Sequence, residues 1–184
     1  MHDPIDIKPI ETATPAQIAH IFVQSWKQGY RGLVSDTYLD NLEEEELVHK
    51  WESWLEIVQP GYVAFIDERP VGFISCGPIR TRPPGDKGIV PLYAWEIYAL
   101  YVPPDYWRRG IGKALLKTVA ENLKEKRARS LVLWVIKKNS RALPLYESLG
   151  GQRIGRVKKE VGGMMVEESA IGWRDTNVIL ESLK

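Results

Sequence analysis

The feature that most constrains this chain is a basic, glycine-rich turn between an apolar run and an amphipathic segment. The turn lies within residues 106–116, which read YWRRGIGKALL, and it follows the apolar run at residues 97–102. The first turn of a helix has backbone N–H groups without a partner in the helix, and the helix dipole adds positive charge there. Gly110 and Gly112 carry no side chain that would keep an anion away from those groups. The pattern therefore predicts a strand, a phosphate-binding turn and a helix, in that order.

Two familiar phosphate loops do not fit this turn. The dinucleotide fingerprint G-x-G-x-x-G fails because Leu115 stands at its third glycine. The Walker loop G-x-x-x-x-G-K-[ST] fails because Ala114 follows Lys113 and Trp107 stands where the first glycine should be. What remains is a turn of the type R-x-G-x-G after a strand that ends in Val-Pro.

The pattern of apolar residues predicts seven strands and four helices. The predicted strands cover residues 5–10, 62–67, 71–76, 92–102, 131–136, 152–159 and 165–173. The predicted helices run from the Thr14 cap through Gly29 and over residues 42–57, 110–127 and 140–149. Residues 81–91 hold three prolines and two glycines and are predicted to form a loop. This order of elements predicts an α/β (α+β) fold with one mixed sheet, in a single domain over residues 1–184.

Composition and charge count against several classes of protein. The net charge is +1, which does not favour nucleic-acid binding, and no apolar stretch of 18 residues predicts a membrane span. The start of the chain lacks the basic and apolar regions of a secretory signal, and the single cysteine, Cys76, excludes an internal disulfide. The histidine, cysteine and acidic residues show no metal-ligand spacing, so no metal site is predicted. Together these features predict a cytoplasmic protein.

The charges are unevenly distributed along the chain. Residues 35–56 contain eight acidic side chains and one basic one, Lys50, whereas residues 103–141 contain eleven basic and three acidic side chains. The first region is expected to attract a cation and the second a polyanion. Solvated helix faces would carry the same charges, and that alternative stays open.

Two segments resemble signatures of the GNAT superfamily of acyl-CoA-dependent N-acyltransferases. One is the run AWEIYALYVP at residues 94–103 together with the turn that follows, which resembles motif A of that family. The other is NSRALPLYESLG at residues 139–150, which is similar to N-x-x-A-x-x-L-Y-E-x-x-G-F. The resemblance extends over residues 5–173. It implies a mixed, mostly antiparallel sheet of about seven strands with splayed central strands, flanked by about four helices.

The resemblance implies acetyl-CoA as the cosubstrate and assigns residues to it. The pantetheine arm would bind the backbone of the splayed strand at Leu100, Tyr101 and Val102, as an added strand would. The Asn139 side chain would contact the cofactor. The pyrophosphate would bind the turn, whose members are Arg108, Arg109, Gly110, Ile111, Gly112 and Lys113.

The chain departs from the family pattern at two positions. Trp107 stands where the family has Gln or Arg, so one polar phosphate contact is lost, and Arg108 and Arg109 are the residues that could compensate. Gly151 stands where a Phe follows the signature glycine, which removes an apolar plug and changes the local packing.

Glu96 is the candidate general base. It is the one carboxylate in the otherwise uncharged run at residues 92–104. Its distance from Gly110 resembles that of the catalytic glutamate in the histone acetyltransferase branch of the family, and it would act through a chain of waters. The alternative is a carboxylate at the sheet edge that pairs with Arg or Lys. The ribosomal-protein acetyltransferases carry a glutamate where this chain has Trp134, which argues against their arrangement.

Tyr146 is the candidate general acid. The resemblance places its hydroxyl at the cofactor sulfur, and an ordinary tyrosine pKa of about 10 keeps the proton until a thiolate forms. The alternative is a core aromatic, because Ala142, Leu145 and Leu149 share its helical face. A backbone N–H near Leu100 is the expected donor to the oxyanion.

The resemblance therefore implies an N-acetyltransferase in which a primary amine attacks acetyl-CoA directly in a ternary complex. The acidic segment favours a small cationic acceptor, such as a polyamine or an aminoglycoside, and Trp26 and Tyr30 are expected to line the acceptor pocket. Two alternatives stay open, a peptidic amine as the acceptor and a non-catalytic acyl-CoA sensor as the function. The near-neutral net charge counts against a third alternative, an enzyme that acetylates aminoacyl-tRNA. The oligomeric state is open between a monomer and a homodimer. Nothing in the sequence identifies the acceptor.

Overall fold

Seven strands form one mixed sheet in the computed structural model, which describes residues 4–57, 60–80 and 92–184. The loop predicted at residues 81–91 lies outside the described residues. The strands are β1 (Asp6–Pro9), β2 (Gly61–Ile66), β3 (Arg69–Pro78), β4 (Trp95–Tyr101), β5 (Leu131–Ile136), β6 (Gln152–Val161) and β7 (Met164–Trp173). Their order across the sheet is β1-β2-β3-β4-β5-β7-β6. Among these strands β4 and β5 are parallel and the other neighbours are antiparallel, which confirms the predicted mixed, mostly antiparallel sheet.

Six α-helices accompany the sheet in the described part of the chain, so the expectation of about four helices was too low. They are α1 (Pro15–Gly29), α2 (Asp36–Asp40), α3 (Glu44–Ile57), α4 (Ile111–Glu125), α5 (Ala142–Ser148) and α6 (Asn177–Glu181). The two that the sequence did not predict, α2 and α6, have five residues each. Five residues are too few to show a helical period of apolar positions.

The predicted start of α1 is present as a reciprocal cap. The Gln17 backbone N–H donates to the Thr14 hydroxyl at 3.2 Å, and the Thr14 N–H donates to the Gln17 side chain at 2.9 Å. This cap fixes where α1 begins and therefore which side chains it turns toward the sheet.

The helices cover both faces of the sheet. On one face, the apolar side of α4 packs with α5 and α6 on a core that includes Leu115, Leu116 and Leu131. On the other face, α1 and α3 pack on a second core that includes Phe73. Alternate side chains of β3 point into the two cores, since Ile74 belongs to the first core and Phe73 to the second.

The parallel pair β4 and β5 separates halfway along its length. Pairing joins Trp95 to Leu131, then Glu96 to Val132, and ends where Ile97 meets Leu133. Both strands continue beyond that point, since β4 still pairs with β3 at Tyr101 and β5 still pairs with β7 at Ile136. The sheet therefore has a gap at its centre, which confirms the splayed strands expected from the resemblance.

A β-bulge lies where the separation begins. Ser75 of β3 pairs with Ala99 and Cys76 pairs with Ile97, so Tyr98 is an extra residue in β4. A bulge bends its strand and increases the local twist. The bulge at Tyr98 therefore turns the second half of β4 away from the direction that β5 follows.

The space beside Gly151 is filled by another part of the chain. A Cβ atom built on Gly151 would lie 2.8 Å from the Trp173 ring and 2.6 Å from the Ile171 side chain. The Trp173 indole N–H donates to the Leu149 carbonyl at 2.9 Å, and its ring meets the edge of Tyr146. Trp173 of β7 thus supplies the apolar packing that the missing Phe would give, and it holds α5 in place.

Candidate active site

The gap between β4 and β5 opens into a cavity of about 1530 Å³. Its lining includes the glycine-rich turn and α5, together with α1, α2 and the β6–β7 hairpin. A single drug-sized ligand usually occupies a site of about 300–1,000 Å³. The cavity therefore has room for two ligands at once.

The glycine-rich turn presents backbone N–H groups to this cavity. Gly110 precedes the first residue of α4 with φ +85°, a left-handed conformation that glycine adopts without a Cβ clash. The first N–H groups of α4 have no acceptor within the helix. Five of the six predicted pyrophosphate residues line the cavity, and they are Arg108, Gly110, Ile111, Gly112 and Lys113.

The sixth residue, Arg109, lies outside the lining of this cavity. Its guanidinium group stands 5.4 Å from the ring centre of Tyr106. It borders a smaller cavity together with Asp67 and Asp105. Arg108 has φ +61°, and this left-handed residue sends the two neighbouring arginine side chains in different directions.

Trp107 ties the turn to the end of β4. Its indole N–H donates to the Val102 carbonyl at 2.6 Å, and the Arg141 guanidinium stacks 4.6 Å above its ring. A Cβ atom on Gly29 would lie 3.1 Å from the same ring, so α1 also packs closely against it. The Val102 carbonyl, which the resemblance assigns to the pantetheine arm, therefore already accepts one hydrogen bond and has one lone pair left.

Asn139 has a structural contact at the start of α5. Its side-chain oxygen accepts from the backbone N–H of Ala142 at 3.1 Å and of Arg141 at 3.3 Å. These two bonds satisfy N–H groups that the helix leaves without partners. Asn139 also lines the cavity, so it holds α5 at the edge of the site.

Tyr146 is both a core residue and a cavity residue. It is buried, its ring meets Trp173 edge-on, and it lines the cavity from α5. Burial raises the pKa of Tyr146 well above its usual value, and the nearby Tyr101 raises it further. The hydroxyl therefore keeps its proton at any physiological pH and can donate a hydrogen bond.

Glu96 is buried, with 5% of its surface exposed, and lines the cavity. Its carboxylate accepts the backbone N–H of Arg80 at 2.7 Å, and the Arg80 guanidinium lies 3.4 Å from the ring centre of Tyr98. The carboxylate thus holds the end of β3 against the bulge of β4. It faces the cavity at the point where the two central strands separate.

Four aromatic side chains form what we call the aromatic wall: Trp26, Tyr30, Tyr38 and Tyr101, which all line the cavity. Trp26 and Tyr30 stack at 4.4 Å with their planes 5° apart, and the Tyr38 ring meets Trp26 edge-on at 6.2 Å. The turn of the β6–β7 hairpin closes over this wall, because a Cβ atom on Gly162 would clash with the Tyr38 ring. The wall contains both residues that the sequence predicted for an acceptor pocket.

Glu168 of β7 also lines the cavity, and the sequence reasoning missed it. Its side chain is 12% exposed, and one carboxylate oxygen lies 3.3 Å from the Lys159 ammonium group. Because side chains alternate along a strand, Glu168 shares a face with the buried Val166 and Ala170. The sequence signals the position of Glu168 only through this alternation of side chains. The alternation does not reveal which face of β7 borders a cavity.

Several polar groups in the cavity lining are buried. Burial raises the pKa of Tyr101 to about 12 and the pKa of Tyr30 well above 10, and the Glu168 charge contributes to both shifts. The Trp26 indole N–H faces the Tyr101 hydroxyl without a hydrogen bond of normal geometry. The buried Ser25 hydroxyl also has no hydrogen-bond partner within the described residues.

Within the described residues, no group of three or more His, Cys, Asp or Glu side chains could hold a metal ion. None of the helices there is both long enough and apolar enough to cross a bilayer.

Comparison with known proteins gives consistent matches. The model of the Acetyltransferase (GNAT) family matches residues 20–151. The uncharacterized N-acetyltransferase YuaI of Bacillus subtilis (strain 168) is 31% identical over 163 residues, which cover 88% of each chain. The spermidine N(1)-acetyltransferase of Thermoplasma acidophilum is 26% identical over 154 residues, 79% of this chain and 87% of its own.

A solved structure agrees with the fold. The PaiA N-acetyltransferase of Thermoplasma acidophilum, in complex with coenzyme A, superposes with a TM-score of 0.63. The alignment covers 90% of this chain and 98% of that one at 22% identity, a level that supports the fold alone.

The raised pKa of Tyr101 predicts an effect on stability at alkaline pH. An unfolded tyrosine ionises near pH 10, whereas folded Tyr101 keeps its proton to about pH 12. The neutral phenol therefore stabilises the folded state below pH 10, and this contribution is lost as the pH rises from 10 to 12. In that window the unfolding free energy of Tyr101→Phe should fall less steeply than that of the unaltered protein, by about 1 kcal/mol per pH unit. Urea unfolding at several pH values measures this difference. If the unfolding free energies of the two proteins fall in parallel with pH, the burial of this hydroxyl is contradicted.

Proposed function

The chain belongs to the GNAT family of acetyltransferases, and we propose that this N-acetyltransferase moves an acetyl group from acetyl-CoA to a primary amine of a small, cationic acceptor. The observation that carries the proposal is the cavity between β4 and β5. Its lining combines the glycine-rich turn with an aromatic wall and a carboxylate. The turn suits a diphosphate, and the wall with its carboxylate suits an ammonium group.

Residues of this chain would hold acetyl-CoA along the separated strand. Leu100 and Tyr101 lie beyond the last pair that β4 makes with β5, so the pantetheine amides can bind that edge as an added strand does. The pyrophosphate would bind the first N–H groups of α4, with Arg108 and Lys113 supplying charge. A protein of similar fold over nine-tenths of this chain was solved in complex with coenzyme A, which supports coenzyme A as the kind of ligand proposed here.

The reaction requires a neutral amine, an acceptor for its proton and a donor to the departing sulfur. An alkyl amine has a pKa of about 10.4, so at neutral pH it must lose a proton before it attacks. Glu96 receives that proton through water, because it is buried and faces the cavity. Acetyl-CoA supplies the acetyl group as a thioester, and Tyr146, whose raised pKa keeps it protonated, donates to the sulfur.

Backbone groups complete the site. Negative charge develops on the thioester oxygen during attack and needs a fixed donor. The backbone N–H groups near Leu100, just after the bulge at Tyr98, are the donors we assign. Direct attack needs both substrates at once, and the volume of the cavity supports such a ternary complex.

A cationic acceptor is favoured by two independent features. The aromatic wall offers stacked ring faces and Glu168 offers a carboxylate. The spermidine N(1)-acetyltransferase relative is 26% identical over most of this chain. The acidic segment that contains α2 and α3 gives no such support, because Tyr38 is its one described residue in the cavity lining.

The test measures thiol release from acetyl-CoA with polyamines, aminoglycosides, monoamines and peptides as acceptors. We expect polyamines to give the highest kcat/KM. Tyr146→Phe should lower kcat about 100-fold while the Kd of acetyl-CoA stays the same, because it removes only the proton donor. Tyr93→Phe, which alters a buried tyrosine outside the cavity lining, serves as the control. Acetyl-CoA binding without thiol release for any amine, or a clear preference for peptides, would contradict the proposal.

The two arginines of the turn should differ in their effect on cofactor affinity. Arg108 lines the cavity whereas Arg109 lies over Tyr106. We expect Arg108→Ala to raise the Kd of acetyl-CoA about 10-fold, the value of one hydrogen bond to a charged group, and Arg109→Ala to change it less than twofold. Isothermal titration calorimetry on both variants measures the difference. Equal losses of affinity would show that the turn binds the diphosphate in another orientation.

A further inference from the structure

We propose that Glu168 selects acceptors with two positive charges, because its carboxylate binds the ammonium group of the acceptor that is not acetylated. This inference rests on the proposed function and makes it more specific, since it predicts diamines or polyamines rather than monoamines as substrates. Glu168 is therefore assigned as a specificity residue, separate from the proton acceptor Glu96 and the proton donor Tyr146.

The position of Glu168 fits an acceptor that enters opposite the cofactor. It pairs with Ile136, the last residue of β5, at the open end of the gap between the central strands. Tyr146 and the phosphate-binding turn lie on the side of α4 and α5, whereas Val166, on the same face as Glu168, packs with α1 and α2. An amine that reaches through the gap toward Tyr146 would thus leave its other end beside Glu168.

The surroundings of Glu168 are those of an ammonium site. The aromatic wall places the rings of Tyr30 and Tyr101 6.4 Å apart, and the Glu168 charge acts on both phenols. A cation between a carboxylate and the faces of aromatic rings is attracted by both. The attraction is stronger here than at a surface, because the Glu168 side chain is only 12% exposed.

Lys159 is the natural competitor for this site. Its ammonium group lies 3.3 Å from the Glu168 carboxylate, but its side chain is 54% exposed and can move into solvent at little cost. A lysine ammonium and a substrate ammonium are chemically alike, so each can replace the other on Glu168. Lys159 thus neutralises the carboxylate until an acceptor arrives, which avoids the cost of a buried unpaired charge.

The experiment compares a series of α,ω-diamines with alkyl monoamines of the same chain length. Glu168→Gln keeps the shape of the side chain and removes its charge. We expect it to raise the KM of the diamines at least 10-fold, the loss of one charge-assisted hydrogen bond, while the KM of the monoamines and kcat stay within twofold. Glu167→Gln is the matched control, because it removes the same charge from the adjacent residue, which points to the other face of β7 and pairs with Lys137.

A second variant moves KM in the opposite direction. Lys159→Ala removes the competitor, so it should lower the KM of the diamines several-fold and leave that of the monoamines unchanged. The affinity for acetyl-CoA, measured by calorimetry, shows whether each variant is folded. If Glu168→Gln does not bind acetyl-CoA, it is not folded and the test rests on Lys159→Ala. An unchanged KM of the diamines in Lys159→Ala then overturns the inference.

The outcomes separate this inference from the proposed function. Equal changes for diamines and monoamines in Glu168→Gln, or no preference for diamines in the unaltered protein, would overturn the role of Glu168 while the acetyltransferase activity stands. The absence of thiol release with every amine would instead refute the proposed acceptor class itself.

Discussion

The separation of β4 from β5 is the feature on which the rest of the site depends. Pairing ends at Ile97 and Leu133, yet both strands continue because β3 holds one at Tyr101 and β7 holds the other at Ile136. Backbone N–H and C=O groups inside a protein need hydrogen-bond partners. Beyond Ile97 and Leu133, the groups on the facing edges of β4 and β5 no longer bond to each other. A ligand with amide groups can replace the missing strand. The bulge at Tyr98 bends β4 where the separation starts, so the gap is built into the sheet.

The surrounding elements give this gap two kinds of lining. The first turn of α4 and the start of α5 supply one, with Trp107 bonded to the Val102 carbonyl and Trp173 packed against Tyr146. The stacked rings of Trp26 and Tyr30, together with Glu168, supply the other. The first lining suits a diphosphate and the second a cation. Under the proposed function, the thioester and the amine would meet where the strands part.

Local features of the site could be predicted from the sequence and long-range ones could not. The glycine-rich turn and the cap of α1 depend on residues a few positions apart, so their patterns are readable directly. The direction of Arg109 was missed because the left-handed backbone at Arg108 decides it. Glu168 was missed because its place depends on the pairing of β7 with β5, which joins segments 32 residues apart at Ile136 and Glu168. The compensation for Gly151 by Trp173 is equally non-local.

Hydrogen exchange of the β4 backbone tests the central claim most directly. The exchange of backbone amides in residues 98–102 would be measured by mass spectrometry with and without coenzyme A. If the ligand takes the place of the missing strand, these amides and those of residues 110–113 become markedly slower to exchange when it binds, while β1 and β6 do not change. Binding that protects other segments and leaves residues 98–102 as they were would contradict the account.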